Sequence, residues 1–406
     1  MLLQKPAFLL FYHTRAAEAS FGEWLGVLWH GLSLDCTVAG YVTAFPVVVV
    51  LASFWIPLSQ RVWRIILTVY FSLIALVTAA IFAVDLNLYG YWGFRLDGSV
   101  LIYLADPGEA LASASWGEVL RQIIIMLVYA GAMIWSYRRI LRLFRVEPVS
   151  LRGRIVPTVA ALLIGGLTFL AIRGGVTVAT ANVSKVYFSS NMFLNHAATN
   201  PVFSFLSSVG DNENYAEAYP FFEEERRKTL FEELRGNRPG ADAGTPRLLR
   251  SDRPNVVLIL LESFGRTIMD ETVNGEPVMP NMQRFKREGV WFENFFANSF
   301  RTDRGQVAVL CGFPAQTTMS IMKLPRKSAT LPSLARSLGR EGYRSVFMYG
   351  GDLNFTNQAS FMYSTGWEEL IWQKDMQLDA PTSKWGYADD VVVDLFGDEV
   401  EALGRA

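Results

Sequence analysis

Charged residues and cysteine are scarce in this chain. Only 18% of its 406 residues are charged, 51% are hydrophobic, and the mean hydropathy is +0.23. That balance is unusual for a soluble protein and favours a membrane protein. The net charge of −1 gives no sign of a polyanion-binding surface, which argues against a nucleic-acid partner. Of the two cysteines, Cys36 opens one apolar span and Cys311 lies in another apolar stretch, so no disulfide is expected.

Long apolar stretches are confined to the first 173 residues and predict a transmembrane domain. The predicted spans are residues 36–57, 65–84, 122–137 and 155–172. The second span carries no charge and measures roughly 30 Å as a helix, enough to cross the hydrocarbon core. Ahead of the first span, large apolar residues between positions 21 and 32 recur every three or four residues. This pattern suits a helix in the membrane interface or one packed against other helices.

The placement of charge predicts the orientation in the membrane. Residues 138–154 contain six arginines and one glutamate, whereas residues 85–118 contain five acidic residues and one arginine. By the positive-inside rule the first segment is cytoplasmic, and the second lies outside together with everything after Arg173. Residues 1–12 show no cleavable signal peptide. We therefore expect a multi-pass protein of the cytoplasmic membrane with an extracytoplasmic second half.

A connector is predicted between the membrane spans and the second half, over residues 174–254. Residues 174–211 are rich in Asn, Ser and Phe and carry no specific motif. Residues 221–235 alternate acidic and basic clusters, which favours a solvated helix. Residues 236–254 contain several Pro and Gly and predict a flexible linker.

Residues 255–406 predict an α/β sandwich. The apolar run 256–261 is typical of a buried parallel strand, and residues 345–349 form a second candidate strand. Residues 282–288 and 331–341 are the clearest helices. Strand, helix and strand in succession imply parallel pairing.

Two polar residues follow these elements. Glu262 ends the first predicted strand, at the edge where such sheets place ligands, and Thr302 lies in a polar turn before an apolar stretch. Glu262 suits a hard cation, and Thr302 offers a hydroxyl nucleophile that a metal could activate. If a helix starts near Asp303, its free N–H groups favour an anion at Thr302. Taken singly, Glu262 could be a surface acid and Thr302 a helix cap.

Four segments together resemble the lipoteichoic acid synthase and phosphoglycerol transferase family. These segments are 253–264 (RPNVVLILLESF), 299–305 (SFRTDRG), 349–357 (YGGDLNFTN) and 384–386 (KWG). The family has a membrane-anchored catalytic domain of the alkaline phosphatase and sulfatase superfamily. The resemblance implies a transferase that moves phosphoglycerol, or a related phospho-head-group, from a phospholipid to an envelope glycan or lipid. It also implies five membrane helices, the first of them clipped here.

The resemblance assigns roles to individual residues. Thr302 is implied to be the nucleophile and, with Glu262, to bind a divalent metal ion: manganese, magnesium or zinc. The residues implied to bind the head group are Arg304, Asp352, Asn354, Asn357 and Trp385. For Arg304, a structural ion pair with Asp303 is an equal alternative to head-group binding. For Trp385, a position in the hydrophobic core is an equal alternative. The tryptophan and arginine that hold glycerol phosphate in lipoteichoic acid synthases correspond here to Thr356 and Gln358, which leaves the transferred group open.

Histidine is missing where the family needs it. Family members complete the metal site with an Asp-His pair and another histidine, yet no histidine follows His196. We expect a sequence truncated within its catalytic domain and inactive alone. Competing hypotheses are a phosphodiesterase or phosphatase, and a non-catalytic sensor or scaffold. Sulfatase chemistry is not expected, because no Cys-x-Pro-x-Arg motif surrounds Cys311.

Overall fold

The computed structural model describes residues 2–98, 100–101, 115–145, 150–209, 221–235, 251–316 and 320–404. It divides into two compact units, Met1–Asn212 with Val307–Ala406, and Glu213–Gln306. The helices are α1 (Gln4–Phe11), α2 (His13–Ala16), α3 (Phe21–Ser53), α4 (Gln60–Trp92), α5 (Trp116–Leu141), α6 (Ile155–Arg173), α7 (Met192–Ala198), α8 (Pro201–Ser208), α9 (Glu224–Arg235), α10 (Pro280–Glu288), α11 (Thr302–Cys311), α12 (Pro325–Ser328), α13 (Leu334–Arg340), α14 (Gln358–Ser364) and α15 (Asp389–Gly404). The strands are β1 (Thr272–Val273), β2 (Glu276–Pro277), β3 (Val346–Tyr349), β4 (Glu369–Trp372), β5 (Thr382–Ser383) and β6 (Gly386–Tyr387).

Four of the described helices are long and apolar enough to cross a membrane, as the composition predicted. They are α3, α4, α5 and α6, the last extended at its start by a 3-10 turn at Arg152–Arg154. Helix α3 packs against α6, and α4 packs against α5. Parts of the loops used for the orientation argument, residues 102–114 and 146–149, lie outside the described residues.

The helical pattern predicted over residues 21–32 is the first part of α3, which continues into the first apolar span. Ser20 caps the helix: its hydroxyl accepts the Glu23 N–H at 3.3 Å, and the Glu23 carboxylate accepts the Ser20 N–H at 2.8 Å. No proline separates this start from the apolar span. The 33 residues of α3 measure roughly 50 Å, which exceeds the hydrocarbon core.

Two buried ion pairs lie in the core of the helical part. Lys5 of α1 contacts Asp35 of α3 at 2.6 Å, and Arg95 contacts Asp85 of α4 at 3.0 Å. Asp35 also accepts a hydrogen bond from Asn200 Nδ2 of the connector at 2.7 Å. Around these pairs α1, α3 and α4 share one apolar core with the connector helices α7 and α8. The connector is therefore part of the helical core.

A parallel strand-helix-strand unit is present in the second half, but of its three elements the sequence predicted only the first strand, over residues 345–349. Strands β3 and β4 pair in parallel, with Val346 opposite Glu369 and Tyr349 opposite Trp372. Helix α14 connects them, and its Phe361 and Met362 are fully buried. The predicted helices over 221–235, 282–288 and 331–341 correspond to α9, α10 and α13.

The predicted strand over residues 256–261 is wrong. No strand is assigned there, and the side chains from Val256 to Leu261 are 42% to 62% exposed. An extended apolar segment becomes a strand only when a neighbour pairs with its backbone, and none of the described strands does so. Most of the predicted linker, residues 236–250, lies outside the described part of the chain.

Candidate active site

Thr302 is the first residue of the ten-residue helix α11, as predicted for a helix starting near Asp303. The N–H groups of Arg304 and Gly305 donate to the Arg301 carbonyl at 3.1 and 2.9 Å and close the first turn. The Thr302 side chain is half-buried. A helix N-terminus carries partial positive charge, so this position favours an anionic group beside the threonine hydroxyl.

Charged side chains surround this turn. Asp303 and Arg304 are buried, with 4% and 7% of their surface exposed. Arg301 Nε lies 3.4 Å from Asp303 Oδ1, so Asp303 forms an ion pair with Arg301. The Arg304 guanidinium lies 5.5 Å from the centre of the Phe300 ring. The buried Arg304 thus lies two residues after the threonine, in the first turn of α11.

Glu262 is exposed and follows the extended segment 256–261. The next residue, Ser263, has a φ of 62°, a left-handed conformation that is uncommon for residues other than glycine. Such conformations concentrate at functional turns.

The two predicted metal ligands do not make a complete metal site. Glu262 and Thr302 offer the oxygen donors that hard cations prefer, but a divalent ion normally has more ligands than these two supply. The described residues contain no group of three or more His, Cys, Asp or Glu able to hold a metal ion. We therefore assign no reaction step to a metal.

The loop after β3 holds three of the predicted head-group residues. Asp352 Oδ1 accepts hydrogen bonds from the Asn354 N–H at 2.9 Å and from Asn354 Nδ2 at 2.8 Å. Between them, Leu353 is fully buried in a core that also contains Val307 and Leu310 of α11. The second half of α11, from Val307 onward, and the loop of Asp352 thus share one core.

The same loop contains two residues in the left-handed region. Thr356 and Asn357 have φ values of 54° and 66°, and such a φ is an outlier for a β-branched threonine. Asn357 Nδ2 donates to the Lys323 carbonyl at 3.4 Å. Gln358, which stands where lipoteichoic acid synthases have an arginine, is 2% exposed at the start of α14. Of the two positions that differ from lipoteichoic acid synthases, Thr356 is half-exposed and Gln358 is buried.

The segment of Trp385 lies directly against this loop. The Tyr387 N–H donates to the Gly350 carbonyl at 3.0 Å, and the rings of Trp385 and Phe355 meet edge to face at 5.9 Å. Gly386 has a φ of 115°, and a Cβ built there would lie 2.1 Å from the Gly350 oxygen, so only glycine fits. Trp385 is 65% exposed and forms a wall beside the loop, not part of the core.

Cys311, at the other end of α11, is not placed to act as a sulfatase-type nucleophile. Its side chain is 7% exposed, and burial raises the pKa of the thiol to about 11, against a smaller lowering effect of Arg336. The thiol is therefore protonated and poorly reactive at neutral pH.

The connector also contacts the Asp352 loop, which sequence reasoning missed. Asn182 Nδ2 donates to the Asn354 carbonyl at 2.7 Å, and the Ser184 hydroxyl accepts the Ser360 N–H at 3.0 Å. Between these contacts and the membrane helix, Lys185 donates to the Gly174 carbonyl. Burial lowers the pKa of Lys185, opposed by the nearby Asp352 carboxylate. One signal was available: Lys185 is the single Asp, Glu, Lys or Arg between residues 174 and 210.

Comparisons with known proteins find matches for the second half of the chain. Residues 254–405 match the family model Sulfatase. Phosphoglycerol transferase I of Xanthomonas campestris pv. campestris is 35% identical over 167 residues, which cover 38% of this chain and 23% of that protein. Phosphoglycerol transferase I of Salmonella paratyphi B is 27% identical over 161 residues, covering 37% and 21%. This chain thus matches less than a quarter of the length of these relatives.

A solved structure of an alkaline phosphatase superfamily protein from Vibrio parahaemolyticus is 28% identical, covers 32% of this chain and 33% of its own, and has a TM-score of 0.31. The sequence matches confirm the resemblance and the predicted fold class. Residues 254–405 are thus similar to sulfatase-family proteins, and four long apolar helices precede them in the part of the chain that the structure describes.

Proposed function

We propose that this protein is a membrane-anchored transferase that moves phosphoglycerol, or a related phospho-head-group, from a membrane phospholipid to an envelope glycan or lipid. The observation that carries the proposal is the similarity of residues 254–405 to relatives named phosphoglycerol transferase I. The four apolar helices support it, because they would hold the domain at the surface where a phospholipid donor lies.

The proposal includes the predicted orientation and domain organisation. Residues 1–173 form a transmembrane domain in the cytoplasmic membrane, and residues 255–406 belong to the extracytoplasmic catalytic domain. Residues 174–254 form the connector between these two domains. The arginine-rich segment 138–154 supports a cytoplasmic location for that loop. The catalytic domain would then face both the outer leaflet and the envelope acceptor.

The chemistry proposed for Thr302 is a double displacement. The threonine oxygen attacks the phosphorus of the donor, forming a Thr–O–P bond and breaking the bond to diacylglycerol, which leaves with the proton. A hydroxyl of the acceptor then attacks the same phosphorus, the Thr–O–P bond breaks, and the proton of the acceptor hydroxyl passes to the threonine oxygen, which restores Thr302. The α11 N-terminus and the buried Arg304 would stabilise the negative charge on the phosphoryl oxygens in both steps.

A divalent cation, manganese, magnesium or zinc, belongs to the proposal as a cofactor. Members of the sulfatase and alkaline phosphatase superfamily generally use divalent metals. Glu262 and Thr302 would supply two of the ligands. When bound, such an ion would lower the pKa of the threonine hydroxyl.

The head group would bind at the loop after β3. Asp352, Asn354 and Asn357 present carboxylate and amide groups there, and the exposed Trp385 ring flanks them. These are groups that hydrogen-bond the hydroxyls of a small polyol and cover its carbon face. Thr356 supplies a hydroxyl where lipoteichoic acid synthases have a tryptophan. The choice of glycerol phosphate as the bound head group is therefore itself a part of the proposal.

The deciding experiment is product analysis with the natural full-length protein in vesicles that contain phospholipid labelled in its glycerol head group. A transferase places the label on an added glycan or lipid acceptor. A phosphodiesterase releases labelled glycerol phosphate to water whether or not an acceptor is present. If the label stays in the phospholipid whichever divalent metal is added, the enzymatic proposal is overturned. The remaining hypothesis is then a non-catalytic sensor or scaffold.

A further inference from the structure

Lys185 is fixed at the end of the last membrane helix. Helix α6 ends at Arg173, and Lys185 donates to the carbonyl of Gly174, the residue that caps the helix. A helix long enough to span the hydrocarbon core ends at the depth of the phospholipid head groups. With α6 spanning the membrane as proposed, the lysine ammonium lies at the level of the lipid phosphates.

The turn that carries Lys185 is docked on the candidate head-group loop. Ser184, which is 1% exposed, accepts the Ser360 N–H, and Asn182 holds the Asn354 carbonyl. Lys185 itself is half-buried, within electrostatic reach of the Asp352 carboxylate. The turn of Lys185 thus lies between the membrane helix and the loop that carries the Asp352 carboxylate.

We propose that Lys185 binds the phosphate of the donor phospholipid and that Asp352 accepts hydrogen bonds from the hydroxyls of its head group. The connector is then part of the substrate site as well as a tether. This inference rests on the proposed function, because it names the binding site of the phospholipid donor in the proposed transfer reaction.

The chemistry of both groups fits a polyol phosphodiester. An ammonium has three protons, and the bond to Gly174 uses one of them. Lysine binds phosphate as a compact point charge. Arg173, whose Nη1 donates to the Gly175 carbonyl at 2.7 Å, adds a second cation at the same helix end. The Asp352 carboxylate accepts hydrogen bonds. A head group with hydroxyls can donate them, whereas a plain alkyl head group cannot.

The test is equilibrium binding of radiolabelled dihexanoyl phosphatidylglycerol to the full chain in phosphatidylcholine nanodiscs. Lys185→Met, which keeps the apolar stem and removes the charge, is expected to weaken binding about tenfold, the loss of one charge-assisted hydrogen bond. Lys185→Arg should stay within about threefold of the unmutated protein. The matched control is Lys327→Met, an exposed lysine of α12, which should leave binding unchanged.

A second ligand separates binding from a merely structural role. Dihexanoyl phosphatidylethanol has the same phosphate but no head-group hydroxyls. Lys185→Met should weaken both lipids equally, whereas Asp352→Asn should weaken phosphatidylglycerol alone. Competition with glycerol 1-phosphate and with inorganic phosphate shows whether the site takes a lipid head group or any phosphate.

Unchanged binding in Lys185→Met, an equal loss in Lys327→Met, or no phosphatidylglycerol binding by the unmutated chain would overturn the inference. Transfer by the full-length Lys185→Met protein with an unchanged KM for phospholipid would also overturn it while the proposed function stands. If the binding pattern holds but labelled head group is never transferred, the transferase proposal fails and the lipid site remains.

Discussion

At the scale of single residues, Thr302 is the position on which the proposed chemistry depends. Thr302→Ala is expected to abolish the covalent phospho-head-group intermediate and to lower transfer by at least about a thousandfold, because no other group is proposed to form that bond. Stability should fall by about 1 kcal/mol or less, since the side chain is only half-buried at a helix end. Intact-mass analysis of quenched reactions measures the intermediate.

Two variants control this result. Thr302→Ser retains a hydroxyl and should keep a measurable intermediate, and Thr267→Ala removes an exposed threonine elsewhere in the same domain. Transfer by Thr302→Ala close to the unmutated rate would refute the nucleophile assignment.

The lowered pKa of Lys185 gives binding a pH dependence. Burial places its pKa below the ordinary 10.5, with Asp352 opposing the shift and Arg173 adding to it. Because the protonated form binds phosphate, affinity for phosphatidylglycerol should decline as pH rises through this lowered pKa, where a free lysine is still charged. Lys185→Arg should show no decline over the same range. An identical decline in both proteins would assign the titration to another group.

Residue types and motif spacing were enough to select Glu262 and Thr302 as candidates, and the family resemblance added the Asp352 loop. They were not enough to find Lys185, whose contacts join segments far apart in the chain and follow no local pattern. Likewise, the pairing of Asp303 with Arg301 and the exposure of Trp385 depend on packing that a single sequence does not encode locally.

At the scale of elements, the contact of β6 with the Gly350–Gly351 turn holds the Trp385 segment in place. Gly386→Ala should destabilise the protein by about 2–4 kcal/mol, because the added Cβ meets the Gly350 backbone and the φ of 115° is strained for alanine. Thermal unfolding in detergent measures the loss. Gly397→Ala, in the interior of α15 where a Cβ meets nothing, should be neutral or slightly stabilising. Equal unfolding temperatures for both variants would contradict this account.

Elements were predicted where one local segment carries the whole pattern. Strand β3 was predicted from its own apolar run, whereas α14 and β4, which complete its parallel unit, were not. The start of α11 was predicted from the polar turn before an apolar run. The segment 256–261 has the composition of a central strand. A β-strand, however, needs a neighbouring strand to hydrogen-bond with its backbone, and composition alone does not show whether such a strand lies beside it.

At the scale of the whole molecule, the orientation can be tested by labelling. In a background with Cys36 and Cys311 replaced by serine, Ser150→Cys is expected to resist a membrane-impermeant maleimide added from outside, because the arginine-rich loop is cytoplasmic. Phe300→Cys, at a side chain that is 89% exposed, should react. Trp116→Cys, 87% exposed at the start of α5, should react as well and serves as a control for the outer loops. Labelling at 150 without labelling at 300 would invert the topology.

The membrane character of the molecule was predictable because hydropathy and arginine placement are properties of composition. The integration of the connector was not, since α7 and α8 are buried among α1, α3 and α4 through contacts without a sequence signature. Burial of Asn200 against Asp35 shows how a segment expected to be a simple tether completes the helical core.

The Lys5–Asp35 pair has a consequence for how the chain enters the membrane during synthesis. A charged aspartate is costly to bury beside an inserting apolar span, and Asp35 lies inside α3 directly before the predicted span 36–57. Its cation partner, Lys5, is translated earlier and is present when α3 leaves the ribosome, whereas Asn200 emerges only after all four long helices. Neutralisation of Asp35 can thus precede insertion of the first helix, and the asparagine bond closes the bundle when the connector arrives.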